Sequence, residues 1–298
     1  VLWRHYPGPH WRPGPAAGIY VARVADAAER AELFGPDPAI QSVTESNGYL
    51  TVSLTPEALA QVAVDVARAG DRCADSDLLR GRTVAAAPRA DLTAAASWLA
   101  ARDMLAAELA VTLAVAAGAG VVPAPVRDDG PVRDSVPVRD SAPGSSSGGP
   151  VAAAIAYAGQ DAVRWRLASG GADGDGRALA RQVLSNPAYA VRYAHAAAAA
   201  VLRWAGYPPG EFRPGLLAEP AQRALLDVLS WLPERVAVAA RRERPDVFAR
   251  YLEVLAARTI DTMSTTEPSS ETLWLALAAR TALGAGLRLL GISAPERV

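Results

Sequence analysis

Ten residues, Asn186 to His195, carry the densest chemistry in this sequence: NPAYAVRYAH. Tyr189 and Tyr193 stand one helical turn apart, with Arg192 beside the second. Rings at that spacing can stack on unpaired bases, at roughly 1–3 kcal/mol per base. A guanidinium can pair with a phosphate or stack. The same tyrosines can instead pack inside a helical bundle with their hydroxyls satisfied. His195 lies on an alanine-rich face, open to a ligand role or to a buried, hydrogen-bonded one. Arg241, Arg242 and Arg244 form a second cluster, either a phosphate site or a solvated helix end.

Other chemistries find little support. Cys73 is the only cysteine, so no intrachain disulfide or thiolate zinc site is expected. The histidines are His5, His10 and His195, and no CxxC or HxxxH occurs. There is no lysine, which excludes a Walker-type phosphate lysine. Asp173 and Asp175 in GADGDG lack the spacing of a calcium loop and read as a connection before Asn186. No metal is expected.

Apolar residues make up 51% of the 298, but alanine dominates and aromatics are only 6%. Alanine favours helix and buries little area per residue. All 30 basic residues are arginine, the signature of GC-rich coding, and Val1 fits a GTG start read literally. Arginine richness alone therefore says little about nucleic acid. Residues 151–298 carry 17 arginines against 14 acidic groups, a mildly basic half. VLWRHYPGPHWRPG at the N-terminus lacks the apolar core of a signal peptide. The uncharged run 109–126 is broken by Pro123 and Pro125, so a membrane span is not expected. A cytoplasmic location is the default.

The elements that must position these residues follow from periodicity. Residues 1–17 are Pro/Gly/Trp-rich and read as irregular. Residues 18–70 read as a small α/β unit ordered helix, strand, strand, helix, with the first helix over Tyr20–Leu33. Strands at Ile40–Thr44 and Tyr49–Leu54 flank Asn47-Gly48, a type I′ hairpin signal. Thr55 caps a helix that Pro56 opens. Residues 71–122 read as an Ala-rich helical remnant, with the helix over 94–119. Residues 123–150 repeat Pro-Val-Arg-Asp three times and end in Ser/Gly, a disordered linker by composition. In 151–298, five helices are expected: 187–205 after Asn186, 220–232, 233–242, 245–263 and 271–290 with Gly291 behind it.

The block at Asn186 resembles NPVYYVQYAHAR, which opens the anticodon-binding domain of arginyl-tRNA synthetases. The terminal GLRLLGISAPERV resembles that family's GLxLLGxSAPERM. Between them, Leu229, Pro233-Glu234, Ala239, Pro245, Ala249, Tyr251 and Leu252 keep the spacing of its DALR-type domain. Gly159–Arg164 resembles the GADAxR segment that follows the synthetases' ATP-binding KMSK loop. At the other end, GIYVARVA (18–25) is similar to the GDYASNVA of their additional N-terminal domain. Tyr49 and Thr51 stand where that domain's GFxN contacts the tRNA elbow.

The resemblance implies tRNA as partner, arginine tRNA in particular. It places Tyr189, Arg192, Tyr193, His195, Arg241 and Arg242 on the anticodon side, and Tyr49 and Thr51 on the elbow side. The departures are specific. The family's second Tyr is Ala190, its Gln is Arg192, and the Arg after the His-Ala pair is Ala197. FY-type aromatics become Thr262 and Met263, and the terminal Met becomes Val298. Reduced anticodon specificity is the expectation.

The synthetases' catalytic domain uses HxGH histidines on ATP and a KMSK lysine on the developing pyrophosphate charge. No histidine lies between His10 and His195, and there is no lysine. About 80 residues separate Gly70 from Val151, where the family has several hundred. No catalytic residue, no ATP site and no other cofactor site is expected, and the chain alone is predicted inactive as a ligase. The fold expected is mainly α: a C-terminal helical bundle of the DALR anticodon-binding type over 151–298, preceded by the small α/β domain. The function expected is a catalytically incomplete tRNA-binding protein, a pseudoenzyme of translation with an accessory or regulatory role. A protein–protein module that has lost RNA binding, docking a synthetase or other protein, stays open. So does the non-catalytic part of a split arginine–tRNA ligase.

Overall fold

The computed structural model describes all residues except 1–11, 15, 24–36, 125–148, 207 and 266–268. Near the N-terminus, β1 (Arg12–Pro13), β2 (Ile19–Arg23), β3 (Ile40–Ser46) and β4 (Tyr49–Leu54) form an antiparallel sheet of order β1-β2-β4-β3. Asn47 and Gly48 both take positive φ (52° and 74°), as the I′ turn between β3 and β4 requires. Thr55 accepts a hydrogen bond from Ala58 N–H and caps α1 (Pro56–Ala69), with Pro56 in the first turn.

The helix expected from Tyr20 opens instead as a strand. Tyr20 and Ala22 alternate with half-exposed neighbours and pair with Val52 and Leu50 of β4. Aromatic and β-branched residues suit a half-buried pleat, and cross-strand pairing overrides the helical spacing. The rest of that expected helix, 24–33, lies outside the described residues. Arg12–Pro13, expected to be irregular, pairs with Tyr20 and Val21.

The sheet's inner face (Tyr20, Leu50, Val52, Leu54) is buried in the core that α1 shares, and α1 also packs on two helices of the C-terminal bundle, Pro220–Ser230 and Ser270–Leu289. The bundle comprises α6 (Pro187–Ala205), α7 (Pro220–Ser230), α8 (Leu232–Arg241), α9 (Pro245–Thr265) and α10 (Ser270–Leu289). Before it come α3 (Pro150–Ala158), α4 (Gln160–Ala168) and the single turn α5 (Gly176–Leu179). The five expected helices are present, and Gly206 and Gly291 follow α6 and α10 with the positive φ of helix-ending glycines. Asn186 does not cap through its side chain. Its Nδ2 donates to the carbonyls of Leu179 (3.0 Å) and Arg181 (2.7 Å), tying the preceding loop to the start of α6.

Alanine and glycine set the bundle's spacing. Ala188, Ala194 and Ala198 are buried on α6, which packs on α9 and α10. A Cβ on Gly286 would meet Leu252 Cδ2, so the Leu252 side chain of α9 packs into the space that this glycine leaves on α10. Sheet, α1 and bundle share one continuous core. Tyr20 Oη shares a 2.9 Å hydrogen bond with Ser230 Oγ, and its ring lies 5.1 Å from that of Trp231.

Between the two regions, β5 (Thr83–Ala85), α2 (Trp98–Ala116) and β6 (Gly120–Val122) make a β-α-β unit with parallel strands. Composition had suggested only the helix, because three-residue strands leave no periodic trace. Arg164, 1% exposed, pairs with Glu108 of α2 at 2.6 Å and donates through Nε to Leu290 O, locking α2 to the bundle. Glu108 also accepts from Ala90 N–H. The expected linker falls almost wholly on 125–148, outside the described residues. Among the described residues, no helix is long and apolar enough to cross a membrane.

Candidate nucleic-acid interface

A groove runs between α6 and α9 and is closed at one end by the C-terminal tail. Its wider hollow, about 550 Å³, is walled by Tyr193, Val201 and Trp204 of α6, Ile260 and Met263 of α9, and Arg297 and Val298 of the tail. Trp204 is 82% exposed, the most exposed large apolar side chain among the described residues. It sits at the end of α6 because Gly206 turns the chain one residue after Ala205. Arg203, beside it, donates to the carbonyl of Glu296. Rings, guanidinium groups and an open apolar floor together can stack bases and pair with phosphates.

A second hollow of about 470 Å³ adjoins the first across Ile260 and Ser264, which line both. Leu184, Pro187 and Ala190 form one wall, and Glu253, Ala257 and Asp261 of α9 the other. Burial raises the Glu253 carboxyl above the usual carboxylate range, partly offset by Arg250.

The expected anticodon-side residues separate. Tyr193 faces the groove, and Tyr189 lies stacked beside it with ring centroids 5.8 Å apart. Arg192 turns away and ion-pairs with Asp161 at 3.6 Å. Asp161 also accepts from Ser293 N–H and Oγ, so it ties α4, α6 and the tail together. His195 is buried, and its Nδ1 lies 2.8 Å from Pro295 O, as a donor to that carbonyl. Arg241 and Arg242 are exposed at the end of α8. From Pro245 to Met263, α9 rises about 27 Å at helical geometry, so the arginines stand at the far end from Trp204. Tyr49 (46% exposed) and Thr51 share the outer face of β4, because Leu50, Val52 and Leu54 take the inner one.

The positions that depart from the synthetase pattern concentrate here. Ala190, Ala197, Met263 and Val298 all line the two hollows. Thr262 does not: it is buried, with its hydroxyl bonded to Arg258 O and Ala221 O. Trp204 escaped sequence reasoning, although a lone tryptophan just before a helix-ending glycine was a readable signal.

Cys73 is buried, and burial pushes its thiol up to about 12, so it is no nucleophile at neutral pH. Among the described residues, no group of three or more metal-ligating side chains converges.

The DALR anticodon binding domain family matches residues 191–298. The arginine–tRNA ligase of Clavibacter sepedonicus is 37% identical over 158 residues, covering 47% of this chain and 28% of that protein. The arginine–tRNA ligase of Micrococcus luteus is 34% identical over 172 residues, covering 48% and 30%. The chain thus spans less than a third of the length of these relatives. The solved arginyl-tRNA synthetase of Thermus thermophilus is 18% identical with a TM-score of 0.43, covering 100% of this chain and 57% of that one. Residues 191–298 of this chain are a DALR anticodon binding domain.

Proposed function

We propose that this chain binds tRNA through the α6–α9 groove, with Trp204 and Tyr193 stacking anticodon-loop bases and Arg203 and Arg297 holding the backbone. The observation that carries this reading is Trp204, held almost fully exposed at a groove that Arg203 and Arg297 also line. Tyr189 supports Tyr193 by stacking, and His195 and Arg192 place the tail and α6. Arg241 and Arg242 stand far enough along α9 to meet stem phosphates, and Tyr49 and Thr51 offer a weaker surface for the tRNA elbow. Specificity for the arginine anticodon is reduced, because four of the positions that depart from the synthetase pattern, Ala190, Ala197, Met263 and Val298, line the groove.

The role is accessory or regulatory in arginyl-tRNA metabolism, in the cytoplasm. The chain alone does not activate arginine: it has no lysine for a KMSK-type loop and no HxGH pair. A filter-binding titration of total tRNA over a salt series tests the reading. Affinity that falls steeply with salt supports phosphate contacts, and no binding at low salt overturns it. Tight preference for arginine tRNA would refute the loss of specificity. ATP–pyrophosphate exchange with arginine by the chain alone would refute the loss of catalysis.

One observation favours a second reading, as the non-catalytic part of a larger assembly. Parallel strands are ordinarily covered on both faces, yet Val121 and Val122 of β6 are 52% and 41% exposed. A protein partner, such as a separate synthetase subunit, would cover them. Measuring pyrophosphate exchange before and after adding such a subunit distinguishes the two readings.

A further inference from the structure

The second hollow differs in chemistry from the groove it continues. Its walls are apolar except for two carboxylates, Glu253 and Asp261, and the Ser264 hydroxyl, which is spent as a donor to the Asp261 main-chain carbonyl, all on α9. It exists because residue 190 is alanine: Ala190 lines the wall where the synthetase motif carries a tyrosine. Asp261 is exposed at its rim, and its carboxylate has no hydrogen-bond or ion-pair partner among the described residues. Carboxylates repel phosphates and accept hydrogen bonds only, so the hollow disfavours backbone and carbonyl edges alike. It favours a flat apolar group that carries N–H donors, and a nucleobase with an exocyclic amino group is such a group. Recognition of unstacked bases on their Watson–Crick edges, including carboxylates accepting from cytosine N4, has this chemistry.

We propose that this hollow is a base pocket, in which Asp261, with Glu253 behind it, accepts from the amino group of a nucleotide next to the one stacked on Tyr193. The pocket makes the RNA preference of this chain one for amino-bearing bases over uracil, in place of the reading done by the missing tyrosine. This inference rests on the proposed RNA groove and adds a specificity that the groove does not require.

The test uses the full chain and fluorescein-labelled heptamers of cytidine and of uridine, followed by anisotropy at low salt. The wild type is expected to bind the cytidine heptamer at least about fivefold more tightly, the lower end for one base-edge contact. Asp261→Ala is expected to bring that ratio close to one without weakening the uridine heptamer, because a removed negative charge does not hinder RNA. Ala190→Tyr, which fills the hollow, should also abolish the preference while leaving Trp204-dependent binding in place. A wild-type ratio near one, or a ratio unchanged in Asp261→Ala, overturns the pocket while leaving the groove intact. If neither heptamer nor whole tRNA binds the wild type, the groove itself fails and the pocket falls with it.

Discussion

His195, in the middle of α6, holds the C-terminal tail: its Nδ1 lies 2.8 Å from the carbonyl oxygen of Pro295, a hundred residues away in sequence. Burial lowers the ring's pKa, opposed by the Pro295 carbonyl and Glu296, while Arg280 and Arg288 lower it further. The fold therefore holds the neutral imidazole, as an Nδ1–H donor. The tail so fixed carries Arg297 and Val298 into the groove.

Stability follows with a definite sign. The folded-state pKa lies below the ordinary value of 6.5, so the unfolded chain takes up the proton first as pH falls. The contribution is fully present above about pH 6.5 and is lost as pH falls below it. Urea unfolding at pH 8 and pH 5 should show this loss in the wild type and not in His195→Ala. That variant should lose about 1–3 kcal/mol at pH 8, from the unsatisfied Pro295 carbonyl.

Arg164 and Glu108 form the charged joint between α2 and the bundle. Arg164→Ala leaves a partly buried carboxylate without its guanidinium and should cost about 3–5 kcal/mol. The double variant Arg164→Met with Glu108→Leu should cost much less, because no charge is then left unpaired. Equal losses in chemical denaturation for the two would show that packing of the arginine stem, and not its charge, holds the joint.

Tyr20 sits where the N-terminal sheet meets the bundle, against Trp231 and bonded to Ser230. Removing the hydroxyl in Tyr20→Phe should cost about 1 kcal/mol, and Tyr20→Ala about 3–5 kcal/mol through the cavity. If sheet and bundle are one cooperative unit, both variants will shift a single unfolding transition. Two separate transitions, with only the first displaced, would refute the shared core.

Trp204 is exposed, so Trp204→Ala should leave the melting temperature within a degree or two of wild type. The same change should weaken tRNA binding by about five- to hundredfold, the range for one lost base stack. Unchanged binding by filter titration would remove the stacking role.

Local signals were legible where a single residue constrains its own backbone. Asn47-Gly48 announced the hairpin, Thr55-Pro56 the start of α1, Pro233 the first turn of α8, and Gly291 the end of α10. Tyr20 to Arg23 misled, because a short apolar run fits both periods and only pairing with β4 decides between them. Arg192 looked like a phosphate ligand beside two tyrosines, yet Asp161, 31 positions earlier in the chain, claims it.

The sequence by itself determined the family resemblance and the order of the five bundle helices, since caps, prolines, glycines and the two motif blocks act within a few residues. It also excluded lysine- and thiolate-metal-based chemistry, because those side chains are absent or too few. Only the tertiary structure decided which surface is open. The groove is a product of long-range packing: the His195–Pro295 bond brings the tail to α6, and the α6–α9 contact sets the walls. Ala190, Ala197, Met263 and Val298 are separate departures in the chain and become one lining in the fold. Exposure of Trp204 likewise depends on where α6 ends relative to α9, a relation between elements that no local pattern carries.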